Sequence, residues 1–183
     1  MVVSGPSGAG KTTVVEGLES RIPFRFSTSM TTRDPRPGEV EGEDYFFVDR
    51  DRFEAAISSG ELLEWAEYAG NRYGTPREAV VEALEAGHDV LLDIEILGAR
   101  QIREAFPEAI LVFIAPPGRE VLEERLRRRG DTDDEAIARR LAVADEQLAE
   151  AETLFDHVVV NDEVTRAVDE VVDILAEPPP TDR

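Results

Sequence analysis

Residues 5–12 read GPSGAGKT, which sets two glycines, a lysine and a threonine at the spacing G-x-x-x-x-G-K-[ST]. Glycines at those positions let backbone N–H groups turn inward around phosphate oxygens, and the helix that follows adds the partial positive charge of its amino end. Lys11 then reaches the β- and γ-phosphates of a nucleoside triphosphate, and the Thr12 hydroxyl is available to ligate Mg²⁺. The candidate ATP-binding segment is Gly5, Pro6, Ser7, Gly8, Ala9, Gly10, Lys11, Thr12 and Thr13. A glycine-rich turn that binds nothing is the weaker reading, because the motif stands between an apolar run and a helical stretch, as its mechanism needs. Lys11 is also the only lysine in the chain.

Asp93 ends the apolar run VLLD. An acid at the carboxyl edge of a core strand can hold Mg²⁺, directly or through a water; the competing reading is a capping or loop aspartate. Glu95 is open between the same two roles. Arginines form the third group. Phosphoryl transfer spreads charge over equatorial oxygens, which planar guanidinium donors neutralise well. Arg33 and Arg36 lie in a proline-rich stretch, Arg125, Arg127, Arg128 and Arg129 end one helical stretch, and Arg139 and Arg140 begin the next. For Arg127, Arg128 and Arg139 the preferred reading is salt bridging on solvated helices. Spacing alone does not decide Arg125, Arg129 and Arg140.

These residues need elements to hold them. Residues 1–4 predict a short buried strand and residues 11 to about 20 a helix. Strands are predicted at 45–48, 90–94, 110–115 and 157–161, the last three as apolar runs of core strands. Helices are predicted at 51–59, 77–86, 98–105, 119–129, 134–151 and 164–175. Residues 27–42 are polar and rich in proline and glycine, with Asp34-Pro35 and Arg36-Pro37 steps that disfavour helix. Residues 177–183, EPPPTDR, form a solvated tail. Strands alternating with helices imply an α/β fold, a parallel sheet flanked by helices.

The 183 residues favour one globular unit, and no apolar run approaches the ~20 residues needed to cross a bilayer. The amino terminus lacks the basic region of a signal peptide, and there is no cysteine; a cytoplasmic location is expected. Forty acidic against twenty basic residues give a formal net charge of −20. That field repels nucleic acid and anionic membranes, so neither is expected as a partner. This acidic, arginine-rich balance reads either as a codon bias toward arginine or as adaptation to high intracellular salt.

Four segments together resemble the guanylate kinase family: SGPSGAGKT at the start, TTRDPRPGEVEGEDYFFV at 31–48, LLEWAEYAGNRYGT at 62–75, and IAPP followed by RLRRRGDTDDEAIARRL to Leu141. VVVND near the end is also similar. The resemblance spans nearly the whole chain, and the TTR, PRxGE and DYxF group is its specific part. It implies a P-loop core (1–26, 76–118 and 146–177), a GMP-binding insertion (27–75), a short helical lid (119–145) and a tail (178–183). It implies that Ser29, Arg33, Arg36, Tyr45 and Tyr73 hold the GMP phosphate, and that Glu64 and Thr75 read the guanine edge with Asp93 nearby. Arg125, Arg129 and Arg140 would act on the ATP phosphates and the transferring group, with Lys11 and Arg36 in the catalytic set, and Asn161 would lie beside the adenine. Trp65 is read as packing. The implied reaction is ATP-dependent phosphorylation of GMP, and of dGMP, with Mg²⁺; monomer or homodimer stays open.

Chemistry supports the base assignment. Guanine presents adjacent N–H donors that one carboxylate accepts, whereas adenine offers no such pair. The sequence also departs from the family. Met30 replaces a small or polar residue, Glu95 a common second aspartate, and Leu97 a frequent glutamine. The family's first strand is longer than residues 1–4, which leaves the completeness of the amino terminus open. Two rival readings are a non-catalytic phosphopeptide-binding scaffold of similar fold and a related P-loop kinase for phosphorylated ribose. Intact Lys11 and Thr12 argue against the first, and the pair Glu64 and Thr75 against the second.

Overall fold

The computed structural model describes residues 1–128 and 133–176. In chain order these residues form β1 (Val2–Ser4), α1 (Lys11–Glu19), β2 (Arg25–Phe26), β3 (Ser29–Thr31), β4 (Tyr45–Phe47), α2 (Arg50–Ser58), β5 (Leu62–Tyr68) and β6 (Asn71–Pro76). There follow α3 (Arg77–Glu85), β7 (Val90–Asp93), α4 (Ile96–Ala105), β8 (Leu111–Ala115), α5 (Arg119–Arg128), α6 (Asp134–Leu154), β9 (His157–Val160) and α7 (Val164–Ala176). A five-stranded sheet runs β2-β7-β1-β8-β9 and a four-stranded sheet β4-β3-β6-β5. The β2–β7 and β8–β9 pairs are parallel. The chain clusters into two compact units, one of Met1–Val2 with Phe24–Leu111, the other of Val3–Pro23 with the chain from Val112 onward.

In the first unit, β7 is apolar on three of its four residues because both its faces are covered, and Arg25 and Phe26 pair with Val90 and Leu91. The second sheet is mixed: β3 runs parallel to β4 but antiparallel to β6. Helix α2 lies against it through Phe53 and Ala56, which pack with Met30 and Leu62. The Asp49 carboxylate caps α2 by accepting the Arg52 N–H at 2.7 Å, satisfying a donor the helix leaves open. Strands β5 and β6 form a hairpin closed by Ala69 and Gly70, both at positive φ (51° and 79°), as a type I′ turn requires.

In the second unit, α5 and α6 share a core of Leu122, Leu126, Ile137, Leu141 and Ala144. The Asp133 carboxylate caps α6 by accepting the Ala136 N–H. All five residues of β8 are buried. Strand β9 differs from the expected core strand. It is the sheet's edge, with Val159 buried but Val158 and Val160 40% and 39% exposed; only one of its faces is covered. The expected turn at 130–133 and tail at 177–183 lie outside the described residues, apart from Asp133.

Candidate functional site

The second unit carries the phosphate-type loop. Gly5 sits at φ 147°, and a Cβ there would overlap the Ile114 carbonyl oxygen of β8, so only glycine lets the loop leave the sheet this closely. Gly8 and Gly10 both adopt φ 93°, turning the backbone before α1 begins at Lys11. The Lys11 ammonium donates to the Gly5 carbonyl at 2.6 Å, which folds its side chain back over the loop. Thr12 and Thr13 follow on the exposed first turn of α1.

Two predicted site residues brace this loop. The Ala9 carbonyl accepts from Asn161 Nδ2 at 2.8 Å and from Arg125 Nη1 at 3.1 Å, and Arg125 Nη2 donates to the Asn161 carbonyl at 2.9 Å. Asn161 is 2% exposed, and its Oδ1 is buried with no partner among the described residues. Such an orphan acceptor is costly unless something donates to it. Arg140 is half-buried on α6; Arg129 lies outside the described residues. Arg127 pairs with Glu123 and Asp134, and Arg139 with Glu135, the salt-bridging role read for them from sequence.

The first unit gathers a cationic and aromatic group. The Arg33 guanidinium forms a fork with Glu39, Nη2 to Oε1 at 2.8 Å and Nη1 to Oε2 at 2.9 Å, and also donates to the Asp34 carbonyl at 2.7 Å. It stacks over the Tyr45 and Phe47 rings at 5.2 and 5.8 Å. Glu39 raises the pKa of Arg33, and in turn the Arg33 hydrogen bond holds the Glu39 carboxyl below its ordinary value. Tyr45 and Tyr73 meet edge to face at 6.0 Å. Burial, and then the Asp93 carboxylate, push the Tyr45 phenol upward. Ser29 stands opposite Tyr45 in the β3–β4 register. Arg36 is exposed, and its backbone N–H donates to Glu39 at 2.7 Å.

Glu64 and Thr75 form the second group of this unit. The hairpin register shifts between Leu62 and Glu64, so that Leu62 faces Pro76 and Glu64 faces Thr75. The extra residue breaks the in–out alternation, and Leu62, Leu63 and Glu64 are all buried. The bulge thereby turns a charged side chain inward. Glu64 is 3% exposed, and its Oε1 accepts the Thr75 hydroxyl at 2.6 Å. Burial pushes its carboxyl up to about 7; Thr75 opposes the rise and the Glu95 carboxylate adds to it. Among the described residues, no other carboxylate is so deeply buried.

Of the three departures, Met30 acquires a physical reason. Met30 points opposite to Ser29 into the α2 core, where an apolar side chain belongs. Glu95 immediately precedes α4, and Leu97 is exposed on it. Trp65 is 37% exposed with the Arg72 guanidinium stacked on its ring at 5.8 Å, so it packs at the surface rather than in a core. Sequence reasoning missed Glu39 as the fork on Arg33, although an acid three residues after Arg36 was a usable signal.

A family model described as guanylate kinase matches residues 1–178. A guanylate kinase of Trichodesmium erythraeum is 53% identical over 176 residues, covering 96% of this chain and 94% of that protein. One from Synechocystis is 52% identical over 178 residues, covering 97% and 93%. The crystal structure of guanylate kinase from Anaplasma phagocytophilum superposes with a TM-score of 0.78 at 36% identity, covering 96% of this chain and 82% of that one. A shikimate kinase from Bacteroides thetaiotaomicron, at 16% identity and a TM-score of 0.52, shares the fold alone.

Proposed function

The chain belongs to the guanylate kinase family, and from that premise we propose that it moves the γ-phosphoryl group of ATP onto GMP, and onto dGMP, by the side chains described above. The observation that carries the reading is the buried Glu64 carboxylate held by the Thr75 hydroxyl. A carboxylate at 3% exposure needs donors. Guanine brings two, N1–H and the N2 amino group, on one edge. Adenine brings no matching pair.

The GMP phosphate is assigned to Arg33, Arg36, Tyr45, Tyr73 and Ser29. A guanidinium fork and phenolic hydroxyls suit a dianion. ATP is assigned to the loop from Gly5 to Thr13, with Lys11 on the β- and γ-phosphates. The orphaned Oδ1 of Asn161 suits an adenine amino donor. Arg125, Arg129 and Arg140 are assigned to the transferring group, where planar donors stabilise charge that develops over the equatorial oxygens. No side-chain nucleophile is required, since catalysis rests on positioning and electrostatics.

Mg²⁺ takes one or two protein oxygens together with phosphate oxygens and waters. The Thr12 hydroxyl, exposed on the first turn of α1, and the Asp93 carboxylate at the end of β7 are donors of that kind. The ion would neutralise phosphate charge when bound. We further divide the chain into the core, GMP-binding insertion, lid and tail given above, and assign water exclusion during transfer to closure of insertion and lid. The site of action proposed is the cytoplasm. Among the described residues no helix is long and apolar enough to cross a membrane.

The test is ADP release with GMP, AMP, CMP and UMP as acceptors. The reading requires turnover with GMP far above the other three. Equal rates with GMP and AMP would overturn it.

A further inference from the structure

Helix α4 faces Glu64 with two residues that have no role in the reaction as assigned so far. Gly98 lies in the first turn of α4, buried, and does not adopt a positive φ. Its backbone would therefore accept any residue, and alanine favours helix more than glycine does. The reason for glycine is spatial. A Cβ at this position would overlap Glu64 Oε2 and lie 2.8 Å from Cδ and 3.4 Å from Cγ. The Glu64 carboxyl fills the space a side chain would take.

Gln101 stands one turn further along α4. Its Oε1 accepts the Trp65 N–H at 3.2 Å and its Nε2 donates to the Trp65 carbonyl at 2.7 Å and to the Leu97 carbonyl at 3.0 Å. Strand β5 is the edge of its sheet, and an edge strand leaves backbone groups open on one side. The Gln101 amide closes both groups of the residue directly after Glu64, as a neighbouring strand would. Gly98 thus limits where the carboxyl end of Glu64 sits, while Gln101 fixes the backbone from which it extends.

We propose that Gly98 and Gln101 are positioning residues that set the Glu64 carboxylate for guanine and so determine the choice of base. The proposal rests on the assignment of Glu64 as the guanine reader. A methyl group at position 98 would displace the carboxyl by roughly 1 Å or more and break its bond to Thr75, and a misplacement of that size costs about 10²-fold in rate. The fold survives, because the atoms displaced are the end of a flexible side chain. Gln101→Ala leaves the carboxylate its space but frees the strand, which predicts a smaller loss, about tenfold.

The experiment measures kcat/KM for GMP and AMP, the KM for ATP and the thermal melt. The variants are Gly98→Ala and Gln101→Ala, each in the native and the Glu64→Ala background. In the native background Gly98→Ala is expected to raise the KM for GMP, lower the GMP:AMP ratio by about 10²-fold, and leave the KM for ATP unchanged. In the Glu64→Ala background the same substitution is expected to change neither ratio nor KM, because the side chain it displaces is gone. Equal losses in both backgrounds would reveal a merely structural role and overturn the proposal. A native GMP:AMP ratio in Gly98→Ala, with Glu64→Ala collapsing that ratio, overturns the positioning role alone. An unchanged ratio in Glu64→Ala overturns the guanine reading and the proposal with it. If Gly98→Ala does not fold, the Gln101→Ala pair decides by the same criteria.

Discussion

Glu64→Gln is expected to make the nucleotide-free protein more stable above neutral pH while abolishing its preference for GMP. In the folded chain, burial raises the Glu64 carboxyl from 4.5 to about 7. The unfolded chain releases this proton near the ordinary value, so between 4.5 and 7 the folded state binds more protons than the unfolded one. Stability therefore falls as pH rises across that window, and the whole cost is present above 7. At about 1.4 kcal/mol per unit, the cost approaches roughly 3 kcal/mol at pH 8. Glutamine has the same shape, can still accept the Thr75 hydroxyl and carries no charge. The variant should melt several degrees higher at pH 8, roughly 6–12 °C for a chain of this size, and most of that advantage should be gone by pH 5. The assay is a set of paired melts of both proteins from pH 5 to 8, without nucleotide. Adding GMP should raise the melting temperature of the native protein much more than that of the variant. A gap independent of pH would show that Glu64 does not titrate as its burial demands.

Lys11→Met should cut turnover by orders of magnitude with GMP affinity nearly intact, because the γ-phosphoryl loses a fixed charge; near-normal turnover in a steady-state assay would remove the loop from the mechanism. Arg140→Ala should lower kcat more than it raises either KM, as expected for a donor felt mainly in the transition state; a change in KM alone would make it a uniform binder. With a net charge of −20, the melting temperature should climb from dilute buffer to molar KCl as carboxylate repulsion is screened. A flat melting profile would leave codon preference as the reason for the arginine-rich composition.

The α/β architecture was legible because its strands are continuous apolar runs and its helices carry caps or periodic faces. VLLD and LVFIA could hardly be anything but covered strands, and Asp49 and Asp133 sit where caps are needed. Of the second sheet only β4 was legible. Strand β3 is only three residues long and is held between partners distant in sequence. The hairpin lacked its usual signal: the turn is Ala-Gly rather than Asn-Gly, with Ala69 accepting a positive φ that alanine rarely adopts. The β5 bulge hid the strand further, since three successive buried residues do not alternate. Strand β9 failed in the opposite direction, because HVVV reads as a core strand whichever way it faces, and only the sheet order makes it an edge.

Within the candidate site, residue types were legible and their restraints were not. Arginine, tyrosine and lysine announce phosphate chemistry wherever they cluster, but the Glu39 fork on Arg33 and the Arg125 and Asn161 brace on the Ala9 carbonyl depend on the folded backbone. The same holds for Glu64, whose identity was visible and whose burial was not. On the proposed assignment, burial is the part that carries specificity. A surface carboxylate would find water as readily as guanine and would discriminate little. Sunk behind a bulge and against Gly98, the proposed guanine reader would face AMP with its charge unpaired, at a cost of about 1–3 kcal/mol or more. Sites that pair buried polar groups in this way reject analogues lacking a donor by about 10⁴-fold. On the proposed assignment, the cost that Glu64 imposes on the empty protein and its discrimination between bases would share one physical origin, and a variant that relieves the first should forfeit the second.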